Sequence, residues 1–165
     1  MRIIRQLTIF LENQPGMMAK ICTIMKKSDI NILAFTIFGT VDHGVLRMIV
    51  NNPVPALHAL GRVGILVIDS DVIEIAAENR PGILEEITSA LSKARVNVDY
   101  GYGSTNEKDG EHRFYLQVSD SKKALLVIKN KFLKKTKSVR KAKATKKPPA
   151  KKKAPARKKT VRKKK

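Results

Sequence analysis

The period of the hydrophobic positions changes several times along the chain, and each change marks an element. Over residues 3–12 apolar and polar residues alternate with many β-formers, which predicts a strand. Pro15-Gly16 breaks that run. Met18, Ile21, Cys22 and Met25 then fall at helical spacing, predicting one buried stripe on a helix that ends near Lys27-Ser28. Cys22, placed on that stripe, is expected to be core rather than a nucleophile. Strands are expected over residues 32–38 and 45–50, on either side of a turn segment at 39–44. A short helix over 55–60, with Pro tolerated in its first turn, and a strand over 65–68 complete the series. Asp69-Ser70-Asp71 reads as a hinge.

The same succession then returns. Strands are expected over residues 72–78, 98–103 and 113–118, a helix over 83–94 with Leu84, Ile87, Leu91 and Ala94 on one face, and a second helix from Ser121 to about Phe132. Glu78-Asn79-Arg80-Pro81-Gly82 repeats Glu12-Asn13-Gln14-Pro15-Gly16 at an offset of 78 − 12 = 66 residues. That offset also links Ile21 with Ile87, Met25 with Leu91, and Ile30-Asn31-Ile32 with Val96-Asn97-Val98. Carried on without a gap, it links Gly44 with Gly110 and Arg47 with Arg113. A register of this length predicts a tandem duplication.

Each copy reads βαββαβ with short links. With right-handed crossovers this is an α+β fold of two tandem ferredoxin-like units, each an antiparallel sheet with its helices on one face. The units are expected at residues 1–70 and 71–132. The second ends differently from the first: only residues 136–140 follow its last helix as a strand candidate, and Val139 is the sole good strand former there. Either the second sheet lacks an edge strand or another segment supplies it.

Charge changes the picture of the C-terminal part alone. Net charge is +20, but residues 1–120 hold 12 Lys/Arg against all 14 Asp/Glu, so the other 34 − 12 = 22 basic residues lie after them. Residues 133–165 are expected to be a disordered polybasic tail of Lys, Arg, Ala, Pro and Thr, unable to bury enough apolar area to offset chain entropy. Lys146, Lys147, Lys151, Lys152, Lys153, Arg157, Lys158 and Lys159 are the expected polyanion contacts, and the tail's composition resembles the C-terminal tails of linker histones. No aromatic residue follows Phe132, so base stacking is excluded and binding to DNA, RNA or another polyanion would be nonspecific. A single cysteine excludes an internal disulfide framework and fits a reducing compartment. With no secretory signal and no long apolar run, the expected setting is the cytosol without a membrane span.

The Glu-Asn-x-Pro-Gly loop between strand and helix, followed by Ile-Asn-Ile opening the next strand, resembles the ACT domain. Over residues 1 to about 130 the chain is similar to the small stand-alone tandem ACT proteins. The resemblance implies a regulatory module that binds a small molecule, usually an amino acid, between two ACT units. It implies that the loop asparagine of one unit and the strand asparagine of its neighbour hold the ligand: Asn13 with Asn97 in one site, Asn79 with Asn31 in the other. The residue chemistry agrees. Gly16 and Gly82 let the backbone turn sharply toward a ligand, and first-turn helix N–H groups attract a carboxylate. An Asn amide offers both donors and acceptors to a zwitterion. Arg80 adds a positive charge where the first copy has Gln14, which favours the Arg80 site. Turn and capping chemistry alone would also account for these residues.

No catalytic constellation is expected. His43, His58 and His112 lack partners at metal-ligand spacing, and Tyr100-Gly101-Tyr102-Gly103 lies in a strand rather than a phosphate loop. No cofactor is expected. Arg47 and Arg113 are expected on the open sheet face, with Glu74 within reach of Arg113; packing of this face on another subunit is the alternative. The resulting expectation is a non-enzymatic amino-acid-binding regulator, able to form a homodimer through its ACT units. Two alternatives are a nonspecific nucleic-acid binder dimerised by the ACT pair, and a noncatalytic subunit of a biosynthetic enzyme. Retention on immobilised DNA is predicted to fall steeply with salt and to vanish when residues 131–165 are deleted. Equal retention of the truncated protein would rule out the tail as the contact.

Overall fold

The computed structural model describes residues 1–106 and 111–144. Ten elements follow one another: β1 (Arg2–Glu12), α1 (Met17–Lys27), β2 (Ile32–Gly39), β3 (His43–Val50), α2 (Pro53–Gly61), β4 (Val67–Glu78), α3 (Ile83–Lys93), β5 (Val98–Asn106), β6 (Glu111–Val118) and α4 (Ser121–Ala144). Met1–Phe132 form one compact body. The α+β class and the two ferredoxin-like repeats are as the patterning predicts. The join between them is different.

The six strands form one antiparallel sheet in the order β2-β3-β1-β4-β6-β5. Asp69-Ser70-Asp71 is no hinge; it lies inside β4, a strand of 12 residues. The segment looks like a hinge because it is polar, yet Asp69 is matched by Arg5 on the neighbouring strand, Nε to Oδ2 3.1 Å. β1 and β4 each serve both repeats. Leu7–Glu12 pair with β3 in the first repeat, while Arg2–Glu74, Ile3–Ile73 and Ile4–Val72 pair β1 with the second. In return, Val67 and Ile68 pair with Ile9 and Thr8 of the first repeat. The missing last strand of the second repeat is therefore supplied by the first residues of the chain. Residues 136–140 are helical, inside α4.

A pseudo-two-fold axis runs through this join. Partners in the β1–β4 ladder always sum to 76, as 2 with 74 and 9 with 67 do. The repeat offset of 66 carries residue 5 onto 71, and Arg5 and Asp71 are themselves partners, so the axis passes between them.

Apolar alternation places Leu7, Ile9, Leu46 and Met48 under α1 and α2, and Ile73, Ile75, Phe114 and Leu116 under α3 and α4. The two cores thus share one face of the sheet. On α1 the buried residues are Ile21 and Met25, with Met17, Met18 and Ile24 packed against the same core. Cys22 is exposed, contrary to expectation, because it sits about 100° around the helix from Ile21. Leu84 is also largely exposed; Ile83, Ile87, Ala90 and Leu91 form the buried stripe of α3.

The opposite, open face curls until each of the six strands contributes one residue to a third cluster: Ile4, Ala34, Ile49, Val72, Tyr102 and Tyr115. The gap-free repeat register also breaks on this sheet. Asn31 N–H donates to the Asn51 side chain, and Asn97 N–H donates to Ser119 Oγ, so the offset grows from 97 − 31 = 66 to 119 − 51 = 68. Two extra residues lie between Val98 and Val118. Arg47 consequently corresponds to Tyr115, not Arg113.

A fragment ending at Ser70 is predicted not to fold, since it leaves residues 2–5 of β1 without a partner strand. Circular dichroism and amide NMR on residues 1–70 check this; a cooperative thermal transition would show that the repeats are independent.

Candidate functional site

The two Asn-x-Pro-Gly loops are alike in backbone and different in hydrogen bonding. Gly16 and Gly82 both take left-handed φ angles, 89° and 83°, a conformation that costs an L side chain. Each starts its helix without a side-chain cap. In the first repeat, Asn13 Nδ2 donates to the carbonyls of Thr40 (2.8 Å) and Val41 (3.3 Å), tying the loop to the β2–β3 hairpin. In the second, the Asn79 side chain makes no hydrogen bond among the described residues. It lines a groove of about 620 Å³ with Arg80, Gly82, Leu84, Glu85, His112 and Phe114.

That groove has the parts to recognise a small zwitterion. Its floor is the first turn of α3, where N–H groups lack intrahelical acceptors. Glu85 offers a carboxylate for an ammonium, Asn79 both donors and acceptors, and Phe114 with Leu84 an apolar wall. Arg80 does not present a free charge: its Nη2 lies 2.8 Å from Glu86 Oε1, and Glu78 lies 3.9 Å away. This ion pair offsets the negative charge of Glu86 in the first turn of α3. His112 stacks on Phe114 with ring centroids 4.1 Å apart, which fixes the edge of the groove.

The strand asparagines sit elsewhere. Asn31 lines a groove of about 460 Å³ with Lys26, Asp29 and Asn51. Asn97 lines one of about 470 Å³ with Ser92 and Arg95, and its Nδ2 donates to Asp99. No described cavity contains both members of either expected pair, Asn13 with Asn97 or Asn79 with Asn31. The topology explains this. Asn31 and Asn97 precede the strand ends that lie near the pseudo-two-fold centre, whereas Asn13 lies eight residues beyond Arg5, roughly 25 Å along the strand direction. The expected polyanion residues, Lys146 to Lys159, lie outside the described residues.

The open face carries a polar network not legible in the sequence. Gln6 is fully buried; it donates to Tyr100 Oη and accepts from Tyr102 Oη at 2.9 Å. Tyr100 in turn donates to Gln117. Glu74 holds both Arg2 and Arg113, the latter at 3.5 Å, as expected for Arg113. Arg47 has no carboxylate within ion-pair distance among the described residues. Its guanidinium lies 3.9 Å from the Tyr100 ring centre and 4.8 Å from that of Phe38, and its buried Nε has no hydrogen-bond partner. Only the curl of the sheet brings β3 and β5 together, so no linear pattern announces this contact. Among the described residues no cluster of His, Cys, Asp and Glu could hold a metal, and no helix is long and apolar enough to cross a membrane.

Burial pushes the Tyr102 hydroxyl well above its ordinary value near 10, and burial followed by the Glu74 charge raises Tyr115. Above pH 10 the unfolded chain releases the Tyr102 proton while the folded chain retains it, so folding stability falls as pH rises. Denaturant midpoints between pH 8 and 11 should fall in the native protein. Tyr102→Phe should flatten that slope, at a cost of about 1–2 kcal/mol near neutrality from stranding buried Gln6.

Comparison with known proteins places this geometry. The model of the ACT domain pair matches residues 1–141. A crystal structure of a Bacteroides thetaiotaomicron protein is similar at 32% identity and a TM-score of 0.74, covering 78% of this chain and 88% of that one. The ligand-free regulatory subunit of aspartate kinase from Thermus thermophilus shares the fold at 15% identity and a TM-score of 0.59, covering 79% and 97%. The corresponding Thermus flavus subunit gives 16% and 0.55, covering 79% and 95%. No curated protein matches the sequence.

Proposed function

The chain belongs to the ACT domain family as a domain pair, and from that premise we propose that it is a noncatalytic regulator that binds a small amino acid in the groove beside Asn79. The observation that carries this reading is the contrast between the loops. Asn13 is tied to its own hairpin, while the Asn79 amide lines a groove and makes no hydrogen bond among the described residues. The amino acid's carboxylate would meet Asn79 and the first-turn N–H groups of α3, and its ammonium would meet Glu85. Phe114 and Leu84 would cover an apolar side chain.

Aspartate kinase regulatory subunits share this fold, which fits a regulatory role without identifying the regulated partner. Ligand at the start of α3 would bear on the end of β4, and β4 is common to both repeats. Binding that favours one arrangement of the shared strands would be felt in the first repeat, which is how a coupling free energy between distant surfaces arises. Asn31 and Asn97 remain candidates for completing such a site from a second copy of the chain. The basic segment after Phe132 supplies, in the same reading, a nonspecific attachment to polyanions.

A thermal-shift panel of the twenty amino acids should raise the melting temperature for one or a few. Asn79→Ala should weaken that ligand by roughly 10- to 100-fold, the loss of a hydrogen bond to a charged group. Asn13→Ala should lower the melting temperature without changing affinity. A flat panel at millimolar ligand, with folded protein, would refute the proposal.

A further inference from the structure

The two repeats balance charge on the open face of the sheet differently. In the second, Glu74 holds both Arg2 and Arg113. The residue 66 positions before Glu74 is Thr8, and its partner across the β1–β3 ladder is Arg47. Thr8 and Arg47 alternate with Leu7, Ile9, Leu46 and Met48, which lie under the helices, so both belong to the open face. Arg47 stands there without a counter-charge. Its guanidinium makes no ion pair and no hydrogen bond among the described residues, and only Nε is enclosed. The two Nη groups therefore reach solvent.

The surroundings of this guanidinium are apolar and concave. Thr36, Arg47, Thr8 and Ile68 form one row across β2, β3, β1 and β4, and Phe38, Val45 and Phe10 form the next row on the same face. Phe38 (50%), Phe10 (42%) and Ile68 (52%) all stand exposed. The far wall comes from the other repeat. The centre of the Tyr100 ring on β5 lies 3.9 Å from the Arg47 guanidinium carbon, although three strands separate β3 from β5 in the sheet. Curling thus sets the cation in a trough between Tyr100 and Phe38 instead of on a flat sheet. The two rings keep water off the guanidinium faces, and weaker screening strengthens its attraction for an anion.

We propose that this trough binds a small monocarboxylate with an apolar body, an aryl or branched alkyl acid, its oxygens on the Arg47 Nη groups and its body over Phe10, Phe38 and Ile68. The observations select that class one property at a time. The unmatched charge is positive, so the occupant is an anion, and the planar guanidinium fork fits the two oxygens of a carboxylate. The exposed neighbours are aromatic and aliphatic, so the rest of the occupant is apolar. The residues that flank Arg47 across the ladders and along its own face, Thr8, Thr36, Val45 and Ile49, include no acid. The ammonium of an amino acid would therefore go unmatched beside the guanidinium. The chain's own basic segment does not fit either, since residues 121–165 contain no Asp or Glu. The trough differs from the Asn79 groove in position and in ligand class, and it stands whether or not an amino acid binds there.

Amide NMR titration of the full chain with phenylacetate tests this. The signals of Phe10, Phe38, Arg47 and Ile68 should move. Neutral phenylacetamide and zwitterionic L-phenylalanine should bind in the trough at least tenfold more weakly. Arg47→Met should weaken phenylacetate by roughly tenfold or more, the loss of a charged hydrogen bond, with circular dichroism unchanged. Thr8→Glu offers Arg47 the kind of partner that Glu74 gives Arg113, and should weaken phenylacetate as much while the arginine stays in place. Asn79→Ala should leave this affinity unchanged. No shift at millimolar phenylacetate overturns the proposal and leaves the face to a macromolecule or to none. Shifts centred on the Asn79 groove, or equal binding of the amide, overturn it as well. If Arg47→Met is unfolded, Thr8→Glu decides: affinity lowered at least tenfold supports the site, and an unchanged affinity refutes it.

Discussion

The pairing of β1 with β4 through the centre of the sheet is the constraint on which the rest depends. Each strand is long enough to belong to both repeats, and the ladder between them places Arg5 against Asp71 on the pseudo-two-fold axis. Because the N-terminal residues of β1 complete the second repeat, neither sheet is finished without the other. The helix-side cores remain two clusters, one per repeat, while the open-face cluster takes a residue from every strand. Backbone pairing joins the repeats through β1 and β4, and side chains of all six strands pack together on the open face.

Duplication of the backbone has left the side chains free to diverge. In the first repeat the loop asparagine is consumed by its own hairpin, and the surface is apolar around α1 and β2. In the second, the loop asparagine makes no side-chain hydrogen bond among the described residues, the edge strand carries glycines, and the open face is charged through Glu74, Arg2 and Arg113. Two copies of one plan thus present different chemistry, a polar groove on one and an apolar flank on the other. The strands β1 and β4 form the continuous hydrogen-bonded path between them.

The elements and the duplication were legible in the sequence because each rests on local pattern: alternation for strands, helical spacing for α1 and α3, and Pro-Gly at both strand-to-helix junctions. The errors have equally local causes. Asp69-Ser70-Asp71 is polar, but its charge is matched across the sheet by Arg5, a partner 69 − 5 = 64 residues away. The two extra residues between Val98 and Val118 leave no mark on hydropathy, so the sequence register matches Arg47 to Arg113 while its structural counterpart is Tyr115. Cys22 fits a helical stripe by spacing, yet the stripe that faces the sheet is centred on Ile21 and Met25.

The sequence by itself determined the α+β class, the tandem repeat, the glycine turns before α1 and α3, and the concentration of charge after residue 120. These follow from short-range sterics, periodicity and composition. The tertiary structure decided that β1 and β4 are shared, that Asn13 and Asn79 differ in their bonding, that His112 and Phe114 wall the Asn79 groove, and that Arg47 lies against Tyr100. Each of those depends on strand order and sheet curl, which bring together residues far apart in the chain, and no local pattern encodes such a distance.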